Sequence, residues 1–271
     1  MSARTIDIAI QLLGSNAFAI KEEAGGYDLT AYEAAKRARG GGRTLIQITA
    51  GADDDLAPNV AAMIAHLEKV TGNDFGRVGV LTIIGTSNSS FLAVALGVAL
   101  TARAVPIRLV GVADLPLLPY GRKPPVPGVG RLIPIDGPSM GLGATANPVG
   151  RVIDLASRKV TARPLSSTPP RVAVAGLTAE RRVNIYQTAG NGVKFTKNRP
   201  DGSVGWWWWS DMKQGNLALG EVHGTIDDWD NRKLSVGTWN SDDDALHVAL
   251  CGVGLTRLRE EVSAELAKFP A

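Results

Sequence analysis

Residues 78–102 read VGVLTIIGTSNSSFLAVALGVALTA, a run of 25 residues without a formal charge. The run is long enough to span a bilayer, but residues 85–90 in its middle are all small or polar. They divide it into a half rich in β-branched residues and a half rich in Ala and Leu. We therefore predict a buried strand over 78–84, a tight turn, and a buried helix over 90–102.

Strands and helices alternate on both sides of this stretch. The sequence predicts a strand at 44–49, a helix between Pro58 and Gly72, and another strand at 107–112. The order β-α-β-α-β, with short apolar strands, is typical of a parallel sheet covered on both faces. The expected fold class is thus α/β, a three-layer αβα sandwich with a mostly parallel sheet.

We expect residues 1–271 to form one domain, because a chain of this length can bury a large core. A further strand is predicted at 171–175 and a C-terminal helix at 244–268. Residues 116–170 hold 11 of the 15 prolines and are predicted to form an excursion or cover over one edge of the sheet. Residues 194–209, which end in four consecutive tryptophans, are predicted to form a β-hairpin.

Composition and charge exclude several classes of protein. The net charge is only +3 and the signs are mixed along the chain, so we expect neither a nucleic-acid nor an anionic-membrane partner. The single cysteine, Cys251, excludes an intrachain disulfide and a Cys-based zinc site. No Sec signal peptide and no transmembrane segment are predicted, which favours a cytoplasmic protein or one exported without such a signal. Neither G-x-x-x-x-G-K-[ST] nor G-x-G-x-x-G is present to bind a nucleotide phosphate. We expect no cofactor, and we expect no metal site.

Ser87 stands where the predicted strand meets the predicted helix, in a G-x-S-x-G-like turn with Ser89 in the last position. A sharp turn of this type exposes the hydroxyl of its central serine, and the helix behind it offers N–H groups to a developing oxyanion. Ser87 is therefore the candidate nucleophile. The alternatives are a turn in which Ser87 or Asn88 caps the helix, and a phosphate cradle.

A serine nucleophile needs a base that takes its proton, and the base needs an orienting carboxylate. The chain offers three histidines as candidate bases. Of the three histidines, His66 and His247 lie in predicted helices and are interpreted as solvated residues. His223 lies in the polar stretch HGTIDD, followed by glycine, where a loop can reach into a site. His223 is the candidate base.

The candidate carboxylate is Asp114, which follows the strand predicted at 107–112. Carboxyl ends of parallel strands meet at one edge of a sheet, so Ser87 and Asp114 are expected on neighbouring strands at that edge. A turn residue before Pro116 is the alternative interpretation of Asp114. The rival carboxylates are Asp136, Asp227 and Asp228.

Three motifs, the GTSNS turn at 85–89, LVGVAD at 109–114 and HGTIDD at 223–228, together resemble the α/β-hydrolase superfamily. More narrowly, they are similar to its bacterial lipase- and esterase-like members. The resemblance implies Ser87 as nucleophile, His223 as base and Asp114 as the group that orients the base. It also implies an oxyanion hole, formed by the backbone at Asn88 and at Ala50 or Gly51.

The expected activity is hydrolysis of a small-molecule or lipid-like ester through an acyl-Ser87 intermediate. Trp206 and Trp208, which share one face of a strand, and Tyr186 are the predicted substrate-binding residues. Asn184 and Gln187 are expected to line the same pocket. Packing of the tryptophans against the core is the alternative, as is a non-catalytic protein on the same scaffold that uses the Trp hairpin to recognise a glycan, lipid or protein.

Overall fold

The computed structural model describes residues 5–14, 19–23, 25–38, 40–51, 56–87, 89–115, 132–136, 146–147, 151–154, 159–161, 171–186, 193–198, 204–207, 217–220, 225–234 and 243–268. Its helices are α1 (Thr30–Ala38), α2 (Leu56–Thr71), α3 (Ser89–Thr101) and α4 (Asp243–Ala267), with a 3-10 turn at Phe75–Arg77. Its strands are β1 (Ile6–Leu12), β2 (Ile20–Glu22), β3 (Thr44–Ala50), β4 (Val78–Thr86), β5 (Leu109–Ala113), β6 (Leu132–Asp136), β7 (Ala146–Asn147), β8 (Arg151–Asp154), β9 (Lys159–Thr161), β10 (Arg171–Val174), β11 (Arg181–Tyr186), β12 (Val193–Asn198), β13 (Val204–Trp207), β14 (Leu217–Gly220), β15 (Thr225–Ile226) and β16 (Asp230–Lys233).

Seven strands form the main sheet, in the spatial order β16-β11-β5-β4-β1-β3-β2. Strand β2 pairs antiparallel at one edge, and every other neighbouring pair is parallel. The predicted α/β class with a mostly parallel sheet is therefore confirmed, as are the strands and helices predicted between residues 44 and 112. Three further sheets of three strands each are ordered β15-β10-β6, β13-β12-β14 and β7-β8-β9.

Helices cover both faces of the main sheet. Helices α2 and α3 share one apolar cluster with Ile8, Ile10 and Leu12 of β1. Helices α1 and α4 share the other cluster with Ala9 of β1 and Ile185 of β11. Alternate side chains of a strand point to opposite faces, so a strand covered on both faces needs apolar residues at nearly every position.

Helix α3 carries no charged residue and is buried along almost its whole length. It packs against β4, β5 and β1 on one side and against α2 on another. This burial inside the protein explains the uncharged run at 78–102 without a membrane. None of the described helices is both long and apolar enough to cross one.

Strand β1 lies inside the sheet, between β4 and β3, although no strand is predicted there. Its apolar residues alternate with Asp7 and Gln11, and both polar side chains are buried. Asp7 accepts hydrogen bonds from the Val80 amide at 2.9 Å and the Tyr32 hydroxyl at 3.2 Å, and it pairs with Arg43. Tertiary partners that no local pattern reveals therefore make a buried strand out of this segment.

Strand β10 corresponds to the strand predicted at 171–175, but it lies outside the main sheet and pairs with β6 and β15. The main sheet instead continues with β11 and β16, neither of which is predicted. In the Trp-rich segment, β12 and β13 pair antiparallel with Phe195 opposite Trp207. Residues 199–203 between them lie outside the described residues.

Helix α4 is tied to strands β11 and β16 by ion pairs. Arg181 contacts Glu261 and Glu265, each at 2.7 Å, and Arg232 contacts Glu261 at 2.6 Å. Burial alone would raise the pKa of Glu265, but hydrogen bonds from Arg181 and Lys268 outweigh it and hold that pKa below its usual value. Glu261 and Glu265 of α4 are thus ionised structural partners of the strands.

Candidate functional site

The strand order reverses between β1 and β4, because β3 is added on one side of β1 and β4 on the other. From β1 it runs through α1 to β3 on one side, and from β3 it runs through α2 to β4 on the other side of β1. In open α/β sheets, ligands bind beyond the carboxyl ends of the strands at such a switch point. Gly14 follows β1 there, and Ser87 follows β4.

Ser87 has a backbone φ of 51°, in the left-handed region, and only 9% of it is exposed. Its N–H donates to the carbonyl oxygen of Ala113 at 2.9 Å, which extends the pairing of β4 with β5 by one residue. A non-glycine residue held in this conformation costs about 1–3 kcal/mol, and such strain concentrates at functional sites. The position thus has the backbone geometry expected of a nucleophile turn.

Gly85, two residues before Ser87, allows the helix to begin directly above the strand. A Cβ atom at this position would lie 2.6 Å from the carbonyl oxygen of Ser89 and 3.0 Å from the Cβ of Ala93. Any larger residue would push α3 away from β4. The close contact between β4 and α3 therefore requires a glycine at position 85 of the GTSNS turn.

Asp114 is the first residue after β5, and Ser87 is the first residue after β4. The residues before them, Ala113 and Thr86, are register partners, so Asp114 and Ser87 leave the sheet at the same level. Asp114 is fully buried, has a φ of 56°, and donates its N–H to Ile185 of β11 at 2.8 Å. The expectation that Ser87 and Asp114 lie on neighbouring strands at one edge of the sheet is confirmed. Tyr186, a predicted substrate-binding residue, ends the next strand, β11, and is buried.

Two buried serines at the start of α3 use their hydroxyls differently. Ser89 donates to the carbonyl oxygen of Gly14 in the loop after β1 at 2.6 Å. Ser90 donates within the turn itself, to Gly85 at 3.1 Å with a second contact to Ala113 at 3.3 Å. Ser89 is thus more than a small replacement for glycine, since it joins two loops of the candidate site.

Of the predicted oxyanion residues, Ala50 ends β3 and Gly51 follows it, and β3 is one strand further from Ser87 than expected. Strand β1 lies between β3 and β4, and Leu13 after β1 donates its N–H to Ala50 at 2.8 Å. Two strand spacings amount to about 10 Å. The loop beside Ser87 is therefore the one after β1. Asn88 lies outside the described residues.

Several other predicted site residues cannot be placed. His223 and Trp208 lie outside the described residues, as do Gln187 and the side chains of Trp206 in β13 and Asp136 in β6. The rivals Asp227 and Asp228 form the turn that precedes β16, whereas Ser87 and Asp114 follow their strands. Asp228 is an exposed turn residue with a φ of 60°. Among the described candidate carboxylates, Asp114 follows its strand as Ser87 does, whereas Asp227 and Asp228 precede theirs.

Asn184, which is expected to line the pocket, is buried and bonds to a neighbouring strand. Its Nδ2 donates to Oδ1 of Asn231 in β16 at 2.9 Å, between paired strands. The same Asn231 amide accepts from the N–H of Ile226 and donates to the carbonyls of Ile226 and Trp229, at 2.7–2.8 Å. Asn231 thereby fixes the turn that begins three residues after His223.

His66 is less solvated than expected. Its side chain is only 19% exposed, and its Nε2 lies 3.2 Å from a carboxylate oxygen of Glu22 in the edge strand β2. Strands β3 and β1 lie between β2 and the nucleophile strand β4. His66 therefore belongs to the edge of the sheet and lies apart from Ser87.

In the part of the chain that the structure describes, no three His, Cys, Asp or Glu side chains gather into a group that could hold a metal ion. Comparison of the chain with protein-family models, with curated proteins and with solved structures found no match in any of the three.

Proposed function

We propose that the protein is a serine hydrolase that cleaves an ester through an acyl-Ser87 intermediate. The observation that carries the proposal is the left-handed conformation of Ser87 at the switch point of a parallel sheet, next to buried Asp114. A resemblance to the α/β-hydrolase superfamily and its lipase- and esterase-like members is part of the proposal. The central position of the Ser87 strand, between β1 and β5, supports it.

The first step forms a bond between the Ser87 oxygen and the ester carbonyl carbon, while the Ser87 proton passes to His223. The tetrahedral intermediate then releases the alcohol, which takes that proton from His223. Water repeats the sequence on the acyl-enzyme, releases the acid and regenerates the Ser87 hydroxyl. Asp114 orients His223 and stabilises its positive charge.

The assignment of Asp114 is supported by its burial and its place. A buried carboxylate can hold a histidine in one orientation and favours its protonated form. Asp114 lies on the strand next to that of Ser87 and is fixed by its own N–H bond to Ile185. Residues 225–226, directly downstream of His223, are described: Ile226 is hydrogen-bonded to Asn231 of β16, and β15 contacts β11.

The oxyanion is proposed to be held at the amino-terminal end of α3. The N–H of Ser87 already donates to Ala113, so the donor from the turn is the N–H of Asn88. Helix α3 carries no charged residue that would oppose its dipole, whose positive end faces a developing negative charge. The second donor is proposed to come from the loop after β1, which Ser89 joins to the turn.

Hydrolysis of p-nitrophenyl esters of increasing acyl length tests the proposal. Ser87→Ala should abolish turnover while the far-ultraviolet circular dichroism stays unchanged. The matched control is Thr71→Val, which removes a buried hydroxyl that donates to Leu67 in the last turn of α2. This variant should keep its kcat. Turnover by Ser87→Ala at the wild-type rate would overturn the proposal.

A further inference from the structure

We propose that Arg259, Gln11 and Tyr27 form a binding site for an oxyanion, a carboxylate or phosphate group of a small molecule. Arg259 belongs to α4, Gln11 to β1, and Tyr27 to the segment before α1. The site therefore lies on the face of the sheet that α1 and α4 cover. The inference goes beyond ester hydrolysis, because it concerns the binding of an anion and no catalytic step.

Arg259 carries a positive charge that no carboxylate balances within the described part of the chain, where its side chain bonds to Gln11. By contrast, Arg181, Arg232 and Arg257 each pair with a glutamate of α4 at 2.6–3.0 Å. The uncharged residues that lie about one turn from Arg259 on α4 are Leu255, Thr256, Val262 and Ser263. A positive charge in such surroundings attracts an anionic ligand.

The guanidinium group of Arg259 is held in a defined position. Its Nε donates to Oε1 of Gln11 at 2.7 Å, and Gln11 is only 3% exposed. The group also lies against the backbone of Gly26, where a Cβ atom would come within 2.6 Å of Nη1 and 2.7 Å of Nε. The terminal nitrogens Nη1 and Nη2 have no hydrogen-bond partner among the described residues. They are therefore donors fixed in direction before a ligand binds.

The hydroxyl of Tyr27 is a further donor. It is enclosed by protein, and none of the described residues bonds to it. Tyr27 follows Gly26 and lies in the field of Arg259, since burial raises the pKa of its phenol and the charge of Arg259 partly opposes that rise. The phenol therefore stays protonated. Because buried hydroxyls are nearly always hydrogen-bonded, this one indicates a place for a ligand oxygen.

The chemistry of these side chains selects an oxyanion. The terminal nitrogens of Arg259, the amide nitrogen of Gln11 and the Tyr27 hydroxyl are donors, whereas Oε1 of Gln11 is already occupied by Arg259. A guanidinium group binds two oxygens of a carboxylate or phosphate side by side, and such charge-assisted bonds are about twice as strong as neutral ones. A cation would be repelled by Arg259, and a neutral ligand would leave its charge unbalanced.

The site can be reached from solvent and lies below the nucleophile turn. Gly26 is exposed and Arg259 is half-buried, so an anion can approach from outside. Gln11 is the register partner of Ile84 in β4, three residues before Ser87, which corresponds to about 10 Å along the strand. The oxyanion therefore has two possible sources, a free anion or the acidic end of an ester held at Ser87.

Isothermal titration calorimetry with inorganic phosphate at constant ionic strength tests the site. Wild type should bind phosphate, and Arg259→Gln should bind it about tenfold more weakly or worse, because it loses the charged fork. Arg257→Gln is the matched control, since it removes the same charge from an exposed pair with Glu260 and should bind phosphate as wild type does. Absence of binding to folded wild type, or equal affinity of wild type and Arg259→Gln, would overturn the inference.

Tyr27→Phe decides the matter if Arg259→Gln does not fold. This variant removes only the enclosed hydroxyl, so it should weaken phosphate binding about threefold to tenfold. Without phosphate, it should unfold at the same urea concentration as wild type or at a higher one, because it loses a buried group that has no described partner. Unchanged phosphate affinity, or a marked loss of stability without phosphate, would overturn the role of Tyr27 in the site.

Two p-nitrophenyl esters of equal acyl length separate the two sources, one with a neutral acyl chain and one that ends in a carboxylate. If the oxyanion is part of the substrate, Arg259→Gln should raise KM for the acidic ester alone, and phosphate should compete with that ester. If it is a free anion, neither KM should change, and binding that depends on Arg259 supports the site in both cases. If wild type hydrolyses neither ester, phosphate binding still supports the site, and the failure is then that of the proposed function.

Discussion

Ser87 and Asp114 occupy equivalent positions on neighbouring parallel strands. Each is the first residue after its strand, and each has a left-handed backbone, with φ of 51° and 56°. The N–H of Ser87 donates to the strand of Asp114, and the N–H of Asp114 donates in turn to β11. Two strained, buried polar residues side by side reduce stability, and such an arrangement at a switch point indicates a role in function.

Because the backbone of Ser87 is strained, a substitution that relieves the strain should raise stability while it abolishes activity. Ser87→Gly should be more stable than Ser87→Ala by about 1 kcal/mol, because only glycine adopts a φ of 51° without strain. Both variants should be inactive. Urea unfolding followed by circular dichroism measures the difference in the free energy of unfolding.

Ala104 offers the matched control for that comparison. It is exposed just after α3 with a φ of 56°, far from the carboxyl ends of the strands. Ala104→Gly should gain about 1 kcal/mol of stability and keep full activity. Equal stability of Ser87→Gly and Ser87→Ala would argue against strain at the nucleophile turn.

Replacement of Asp114 tests the carboxylate. Asp114→Asn preserves shape but removes the charge that orients the base, so kcat for ester hydrolysis should fall by a factor on the order of 10²–10⁴. The same substitution at Asp228, in the exposed turn before β16, should leave kcat unchanged. If Asp228→Asn lost activity and Asp114→Asn did not, the carboxylate would be misassigned.

Two glycines of α4 should respond in opposite directions to alanine. A Cβ atom at Gly254 would lie 2.6 Å from the Cβ of Ala113 at the end of β5, whereas one at Gly252 would meet nothing within 4 Å. We expect Gly254→Ala to lose about 1–3 kcal/mol by overpacking. Gly252→Ala should gain about 0.5–1 kcal/mol from helix propensity. Equal responses in urea unfolding would show that α4 does not pack closely on β5.

The ion pairs of α4 predict a loss of stability in acid. Burial raises the pKa of Glu265, but Arg181 and Lys268 together lower it from 4.5. The unfolded state therefore binds this proton more readily, so the stabilisation is complete above pH 4.5 and is lost as the pH falls through the folded pKa. Glu265→Gln should show a shallower loss of unfolding free energy in this range than wild type. An identical acid slope would contradict the role of this pair.

Sequence patterns predicted the local elements well wherever composition decides structure. The uncharged run at 78–102 required a strand, a turn and a helix, and the position of Asp114 followed from the geometry of parallel strands. By contrast, β1 depends on partners distant in sequence, since Asp7 is buried against Tyr32 and Arg43. Because β1 is not predicted, the resemblance implies an oxyanion donor at Ala50 or Gly51 instead of one in the loop after β1.

The role of Ser89 was equally inaccessible from the sequence. Its value depends on the direction of one hydroxyl toward Gly14, and such contacts arise only when the strands are ordered in space. Helical spacing, in turn, could not distinguish the half-buried His66 from a solvated residue, because its neighbour Glu22 comes from the edge strand.

Labelling with a fluorophosphonate probe, followed by mass mapping of the modified residue, tests the central claim most directly. An activated serine reacts covalently with this probe, so we predict modification at Ser87 that is lost in His223→Ala and slowed in Asp114→Asn. Absence of labelling in well-folded protein, or modification only at another residue, would contradict the assignment of Ser87 as nucleophile.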